Sequence, residues 1–561
     1  TSAWANATET EVYAFSLLLV SLTLSSAERS ALEDQEEESG RWLLLTAYLI
    51  ALAPAVHLSA LVGAPAAIAL AARRHDGRWM VERVLLLGGV MIGSAGVGRM
   101  SWMLIGVGAL VASTSQFVTL AEEQRKGIAP RTTLNSIGLA LGRQQGGARR
   151  LAATMGLVAL AASALLIMLV RARHDPAINQ GNPNTLAGLA DVVARRQYDV
   201  SPMWPRQAPI WLQIATLAQY VDWQFGFTLG HGIFTTPGRL LVTLVFLFLG
   251  LRGWRAMRLA STRTADAVAI LTLSGTLGVC AYLNLKSGAT IGYGFVPAGA
   301  HEARERDYFY VLGFWGWGLF AGYGALALIR ARRWPAWLAL TAAMVPLLGN
   351  FTANDRARGA SATAARDVAV ALLTSAPRDA MLFVAGDNDS YPLWYLQTVE
   401  GIRRDVTTVT MPLLPADWYA AEVARRTRLV WLASGHVEGA QWAHQELAAH
   451  IARAAREAGR PVAVSPSMSS KERALLGSNW RLTGAVYLSS APANGSLAPP
   501  IIDSLSDVGL VRPRASDGGK SQLPDDVSAS MLGLLECGRL ARLPAGSSRA
   551  RDSLETRCNL R

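Results

Sequence analysis

The sequence predicts an α-helical polytopic membrane protein of about ten helices followed by an extracytoplasmic α/β domain. Three observations carry that prediction. The 561 residues are 51% hydrophobic with a mean hydropathy of +0.24, and the apolar residues are concentrated before Asn350. Arginines cluster in short loops between apolar runs, the pattern of a membrane protein's cytoplasmic loops. After Asn350 the pattern turns to strand, polar turn and helix.

The apolar runs are Val12–Ala27, Trp42–Pro54, His57–Ala72, Val84–Val97, Met100–Ser113, Leu151–Val170, Arg239–Leu251, Ala267–Asn284, Tyr308–Ile329 and Pro335–Gly349. A crossing needs about 20 apolar residues, and several of these runs are shorter. Trp42–Ala72 and Val84–Ser113 therefore read either as one long tilted helix each or as two short ones. Gly88, Gly89, Gly93, Gly96 and Gly98 sit in apolar surroundings with no strand before them, so they read as close helix packing, not as a dinucleotide loop.

Arginine placement sets sidedness. Arg73, Arg74 and Arg78 follow one span, Arg143, Arg149 and Arg150 precede another, and Arg252, Arg255, Arg258 and Arg263 fill a third loop. Arg330, Arg332 and Arg333 mark a fourth. With these loops cytoplasmic, the loops 171–238 and 285–307 and everything after Asn350 lie outside. The net charge of +12 is thus an orientation signal, with no arm or zinc-finger spacing for nucleic acid. The domain boundary falls at 350/351, and 351–561 is the outer domain.

In that domain Ala380–Ala385 reads as a buried strand, Gly386–Ser390 as a polar turn, and Tyr391–Gly401 as a helix with Ser390 as N-cap. Val406–Met411 is the next strand, Trp418–Arg426 a helix, and Ala485–Leu488 a late strand. The stretch 504–551 is rich in Ser, Gly, Asp and Pro and reads as loose. Cys280 reads as a packing residue, while Cys537 and Cys558 could pair outside the cytoplasm. Cys and His show no metal-ligand spacing.

Four constellations carry chemistry. His301, Glu302, Arg304, Glu305, Arg306 and Asp307 put six ionisable groups into seven residues before the run Phe309–Ile329. Arg304 and Arg306 suit a phosphate, because guanidinium offers paired donors; a salt-bridged collar anchoring the span is the bland alternative. Asp387, Asn388 and Asp389 follow a strand and open a helix, which suits a cation, a sugar or plain helix capping. Glu11 and Tyr13 stand at the mouth of the first run. His57, inside an apolar region, is either a packing residue or a functional polar group. The loop 171–238, with Gln197, Tyr198, Trp223, Gln224 and Phe225, reads as an amphipathic lid or a carbohydrate-stacking surface.

These blocks resemble the protein O-mannosyltransferase-like membrane family of the GT-C class, which includes a vertebrate transmembrane enzyme and many bacterial proteins. The resemblance runs through Thr10–Ala14, the region around His57, Asp175–Asn179 with Asn182 and Pro183, Arg196–Tyr198 and His301–Phe309. It is most specific in Gly386–Gln397, where Trp394 stands, with Glu400–Arg403. It implies a GT-C-like fold in a bacterial plasma membrane. It also implies transfer of a sugar, mannose, from a polyprenyl-phosphate donor to an outward-facing hydroxyl. The family carries its catalytic acid in a Gly-Asp-Ser-Gly-Glu-like segment followed by His-Pro-Pro. Neither stands here, and the chain, opening on Thr1, reads as a piece starting after them, so the acid is expected upstream.

The expected roles follow from that resemblance. Arg304 and Arg306 hold the donor phosphate. Glu11, Tyr13, His57, His301, Glu302, Glu305 and Asp307 are the candidates for lining the cavity, and Asp387, Asn388, Asp389 and Trp394 are the outer-domain candidates, with Asp387 and Asp389 either touching the acceptor or capping their helix. The expected partners are membrane lipid, the lipid-linked sugar and a protein or glycan acceptor, with no cofactor beyond the donor and no metal. The alternatives are transfer to a lipid or glycan, or a non-catalytic scaffold or transporter with an outer sensing domain.

Overall fold

A computed structural model describes residues 2–8, 12–33, 35–74, 77–125, 146–196, 201–230, 235–302, 304–333, 335, 337–354, 363–429 and 444–489. Glu11, Gln197, Tyr198, Cys537, Cys558 and the stretch 504–551 lie outside them. The chain forms two compact units. One comprises 1–173 and 183–356, the other 174–182 and 357–561.

The first unit is helical. Its helices are α1 (Ser2–Thr8), α2 (Val12–Leu32), α3 (Glu36–Ala51), α4 (Ala53–Val56), α5 (Ala64–Ala72), α6 (Val81–Arg99), α7 (Trp102–Arg125) and α8 (Gly146–Ser163). They continue as α9 (Leu166–Arg173), α10 (Leu186–Val193), α11 (Ile210–Asp222), α12 (Pro237–Ala260), α13 (Thr262–Leu273), α14 (Val279–Leu283), α15 (Val311–Ala331) and α16 (Leu338–Asn354).

Among the described residues, six helices are long and apolar enough to cross a bilayer: Glu37–Val56, Val81–Arg99, Arg149–Arg173, Pro237–Ala260, Thr262–Leu283 and Asp307–Ala331. Leu58–Ala72 and Trp102–Ser115 are shorter apolar helices. Length and composition therefore do not establish ten crossings, and the reasons are local. α2 carries hydroxyls, which return their protons to their own helix: Ser21 donates to the Leu17 carbonyl at 2.8 Å and Thr23 to that of Leu19 at 2.7 Å. The segment after α3 is broken at His57, whose extended backbone separates α4 from a 3-10 turn, Leu58–Gly63.

Glycines set the helix spacing. A Cβ on Gly89 would strike the Gly108 and Ala112 backbone of α7, and one on Gly96 would strike Ile105. A Cβ on Gly108 would in turn strike the Gly89 and Gly93 backbone, whereas Gly88 and Gly93 themselves face open space. The α6–α7 pair is thus closed by part of the stripe seen in the sequence. A second crossing is equally tight, with Gly253 of α12 against Phe320 and Gly324 of α15.

A buried ion pair ties α11 to α12. Arg239, fully buried, donates from Nε to Asp222 Oδ2 at 2.7 Å, and Thr243 donates to Asp222 Oδ1 at 3.1 Å. Asp222 ends a helix, where a carboxylate meets the negative end of the macrodipole. Arg239 offsets that.

The second unit is a five-stranded sheet in the order β2-β1-β3-β5-β4. β1 (Met381–Val384), β2 (Thr407–Thr410) and β3 (Val462–Val464) are parallel, and β4 (Trp480–Thr483) with β5 (Val486–Ser489) adds an antiparallel hairpin. All four residues of β1 are buried, as expected of a parallel strand covered on both faces. α17 (Ala364–Ser375) and α18 (Asp387–Tyr395) pack on Leu382 and Val384; α19 (Asp417–Thr427) and α20 (His444–Glu457) pack on Met381 and Phe383. α21 (Ser470–Leu476) opens on a capping box formed by Ser469 and Glu472.

Two local readings are corrected. The helix after β1 begins at Asp387, not Tyr391, and its N-cap is Gly386, so Ser390 lies inside it. Ser390 instead donates to the Gly386 carbonyl at 2.9 Å and meets the Thr410 hydroxyl at 2.7 Å, which keeps it buried. The helix gives way to a π turn over Leu396–Glu400.

Candidate functional site

The collar is built by three segments of the first unit: α11, the loop 285–307 and the 3-10 turn Asp307–Tyr310 that leads into α15. α11 presents Gln213, Thr216 and Tyr220, spaced i, i+3 and i+7, on one helical face. Tyr220 donates to Glu305 Oε2 at 2.7 Å and accepts from the Arg306 N–H at 2.9 Å. Burial first, then the Glu305 carboxylate, pushes the Tyr220 phenol above its ordinary range, so it stays a donor. Thr290 donates to the other Glu305 oxygen, and Gln219 donates to Thr290 at 3.1 Å.

The remaining collar acids are also held. Glu302 accepts from Arg306 Nε at 3.1 Å and from the Lys286 N–H at 3.0 Å. Asp307 accepts from the Ser2 hydroxyl, and Ser2 is itself bound to Gln224. The two arginines therefore differ. Arg306 is half-buried and spent on Glu302 and on the Tyr308 hydroxyl, 2.6 Å away. Arg304 is exposed, with its guanidinium 5.4 Å from the Tyr308 ring centre, and makes no ion pair among the described residues.

Tyr308 leads inward to an aromatic cluster. Tyr13 lies 5.0 Å from Tyr308, 5.8 Å from Phe309 and 5.2 Å from the His57 ring. His57 Nδ1 accepts from the Ser59 N–H at 3.3 Å and meets the Ser59 hydroxyl at 2.7 Å. His57 is thus the cap of the 3-10 turn that follows it. His301 stacks on Tyr293 at 4.3 Å and donates from Nδ1 to the Gly288 carbonyl at 3.0 Å. Its Nε2, and the Gln219 Oε1, are buried acceptors with no partner among the described residues.

Beside the collar, an apolar groove of about 760 Å³ runs between α11 and α12. Leu217, Leu240, Leu244 and Leu247 line its apolar part, and Gln219 and Thr290 line its polar part. The hydrogen-bond chain Gln219–Thr290–Glu305 connects the groove to the collar.

In the second unit the acidic block is divided. Asp389 is buried and accepts from the Ala385 N–H at 3.3 Å and from the Ser467 hydroxyl, a structural role at the helix start. Asp387 and Asn388 are exposed in the first turn of α18. Arg403 is structural too: Nη1 donates to the Leu373 carbonyl at 2.8 Å, closing α17, while Asp405 grips the same guanidinium. Trp394 does reach a cavity. With Trp418, Gln397, Arg404 and Glu422 it lines a cleft of about 530 Å³ along the edge strand β2. The strap 174–182 forms the other wall, tied by Arg425 to Asp175 at 2.7 Å.

Tyr220, Thr290, Gln219 and Ser2 escaped the sequence reading. The i, i+3, i+7 spacing in α11 was the available signal for that helix; Ser2 carried none.

Residues 1–80 match the family model described as Protein O-mannosyl-transferase TMEM260 N-terminal domain, and residues 365–434 match TMEM260-associated domain 2. These two matches support an O-mannosyltransferase-like family. At that level the family is one of glycosyltransferases, which agrees with a chain carrying apolar helices of membrane-spanning length. The first match covers Tyr13 and His57; the second covers α17 to α19, with Trp394 and Trp418. No curated protein and no solved structure matches the chain.

Proposed function

We propose that this chain is a GT-C-type membrane glycosyltransferase. It moves mannose from a polyprenyl-phosphate donor to a Ser or Thr hydroxyl of a protein on the extracytoplasmic face of a bacterial plasma membrane. The proposed topology has ten crossings: α2, α3, α5, α6, α7, α8 with α9, α12, α13 with α14, α15 and α16. Alternating along these, the collar falls at one face and Arg73, Arg258, Arg263 and Arg330 at the other. The positive-inside bias makes the arginine face cytoplasmic and the C-terminal unit extracytoplasmic.

One observation carries the reading: an exposed arginine, free of ion pairs among the described residues, in a collar whose acids are all engaged, beside an apolar groove. A lipid-linked sugar has that polarity, with an isoprenoid tail for the groove and a phosphate for Arg304. The acceptor oxygen attacks the anomeric carbon, the bond from that carbon to the phosphate oxygen breaks, and the phosphate leaves with the bonding pair. Arg304 stabilises the charge that develops there. Arg306, Glu302, Glu305 and Tyr220 are positioning residues that hold the loop. The unpaired His301 and Gln219 acceptors suit sugar hydroxyls. The acceptor's proton passes to a carboxylate base.

A glycan acceptor is the second reading, favoured by the cleft of Trp394 and Trp418 with Gln397 and Arg404. Indole faces stack on sugar rings, and planar polar side chains bind paired hydroxyls. Full-length protein given polyprenyl-phosphate mannose with Ser/Thr peptides or with oligosaccharides, and read by mass spectrometry, separates the two. A hexose on neither acceptor class would leave the scaffold reading.

A further inference from the structure

The opposite end of the first unit carries a second polar site. Glu28 and Leu32 of α2 lie about 22 and about 28 Å along the helix from Tyr13, at 1.5 Å per residue. With Arg73, Arg74 and Gly77, and with Arg258–Thr264 at the α12–α13 junction, they line a pocket of about 530 Å³. Four arginines meet one carboxylate in that lining.

Arg263 is the most informative of them. It is only 6% exposed, and its Nη2 donates to Glu28 Oε1 at 2.6 Å. Among the described residues its Nε and Nη1 have no partner, nor does Glu28 Oε2. A buried guanidinium with two idle donors is costly, and an anion in the adjoining pocket is the chemical remedy. The pocket also holds the N-terminus of α13, capped by Ser261, which accepts from the Thr264 N–H at 3.3 Å. First-turn N–H groups and the positive helix end favour an anion there as well. Among the described residues the carboxylates near the site are engaged: Glu28 with Arg263, and Asp266 with Arg73.

The rim identifies the anion's other half. Leu259 is 91% exposed and Leu32 is 48% exposed, and both line the same pocket as the arginines. A free phosphate has no use for leucines, whereas a phospholipid brings a phosphate and hydrocarbon together. We infer that the pocket formed by the end of α2, by Arg73, Arg74 and Gly77, and by the α12–α13 junction binds the phosphodiester headgroup of an anionic phospholipid. Arg263, Arg258 and Arg74 hold the phosphate, and Leu259 and Leu32 rest against the acyl chains. The inference needs these helix ends to lie at a membrane surface. It does not depend on which face is cytoplasmic, nor on the transferase reading.

The test is native mass spectrometry of the full chain released from mixed micelles of phosphatidylglycerol and phosphatidylcholine, with inorganic phosphate and glycerol phosphate as soluble competitors. One phosphatidylglycerol is retained in preference to phosphatidylcholine, and neither soluble phosphate displaces it at equal concentration. Arg74→Gln and Arg258→Gln, both exposed residues, each weaken retention by about fivefold. Arg330→Gln, an exposed arginine outside the pocket, changes nothing. Leu259→Ser weakens lipid but not phosphate. Arg263→Gln has the largest effect, and should it fail to fold, the two exposed arginines still decide. Equal retention of both lipids, undiminished binding in the Arg74 and Arg258 variants, or phosphate alone binding as well as the lipid would overturn the inference.

Discussion

Replacing Arg304 by alanine separates a donor-binding arginine from a structural one, because the structure bounds what the fold can lose. The guanidinium is exposed and its described contact is the Tyr308 ring at 5.4 Å. An exposed cation–π contact contributes about 0.5–1 kcal/mol, so Arg304→Ala shifts the melting transition little. A charge-assisted hydrogen bond to a phosphate contributes about 1.5–3 kcal/mol. If Arg304 makes one in the transition state, kcat/KM falls by about 10- to 150-fold. Arg304→Lys restores the charge without the paired donors and recovers part of the loss. Arg306→Ala is the contrasting variant: it removes contacts to Glu302 and Tyr308 and therefore costs stability as well as activity. The assay is initial-rate transfer by full-length protein in proteoliposomes, with melting measured on the same preparations. Wild-type kcat/KM in a folded Arg304→Ala protein would refute the phosphate role.

Three further outcomes follow from the packing. Asp222→Asn leaves Arg239 buried without its counter-charge and costs about 3–5 kcal/mol, read as a lower melting temperature, whereas Asp222→Asn with Arg239→Met recovers most of it. Gly253→Val drives a side chain into the Phe320 backbone and costs at least about 1–3 kcal/mol, while Gly318→Ala, facing open space, is neutral. In the second unit the Arg403 hydrogen bonds hold the Asp405 carboxyl down from 3.8 to about 2. A depressed carboxylate stabilises the fold above its unfolded value, so that contribution is present above about pH 4 and is lost as pH falls towards 2. Thermal melts across this range show the loss, and Asp405→Asn abolishes that part of the pH dependence.

The division between helical and α/β regions was legible because it rests on periodicity. Ala380–Ala385 reads as a buried strand from composition alone, and β1 is indeed buried along its length. The glycine stripe was legible for the same reason, since apolar surroundings leave packing as its use. The short β3 and β4 were not, because three or four residues carry too little pattern. Within the collar, sequence treats Arg304 and Arg306 alike; only the fold brings Glu302 and Tyr308 to one and leaves the other exposed. Asp387 and Asp389 are likewise one motif in sequence, but helical geometry turns Asp389 towards Ser467 and Asp387 to the surface. The helix start was misplaced because Ser390 has an N-cap's chemistry, and its true partner, Thr410, lies on another strand. Tyr220 was missed because its partners, Glu305 and Arg306, stand 85 and 86 positions away.

Sugar transfer by the full-length protein from polyprenyl-phosphate mannose to a Ser/Thr peptide in proteoliposomes tests the central claim most directly. Intact-mass analysis is expected to show one added hexose on the peptide hydroxyl, abolished when the donor is left out and sharply reduced in the Arg304→Ala protein. An unmodified peptide with folded protein and intact donor, while oligosaccharide and lipid acceptors also stay unmodified, would contradict it.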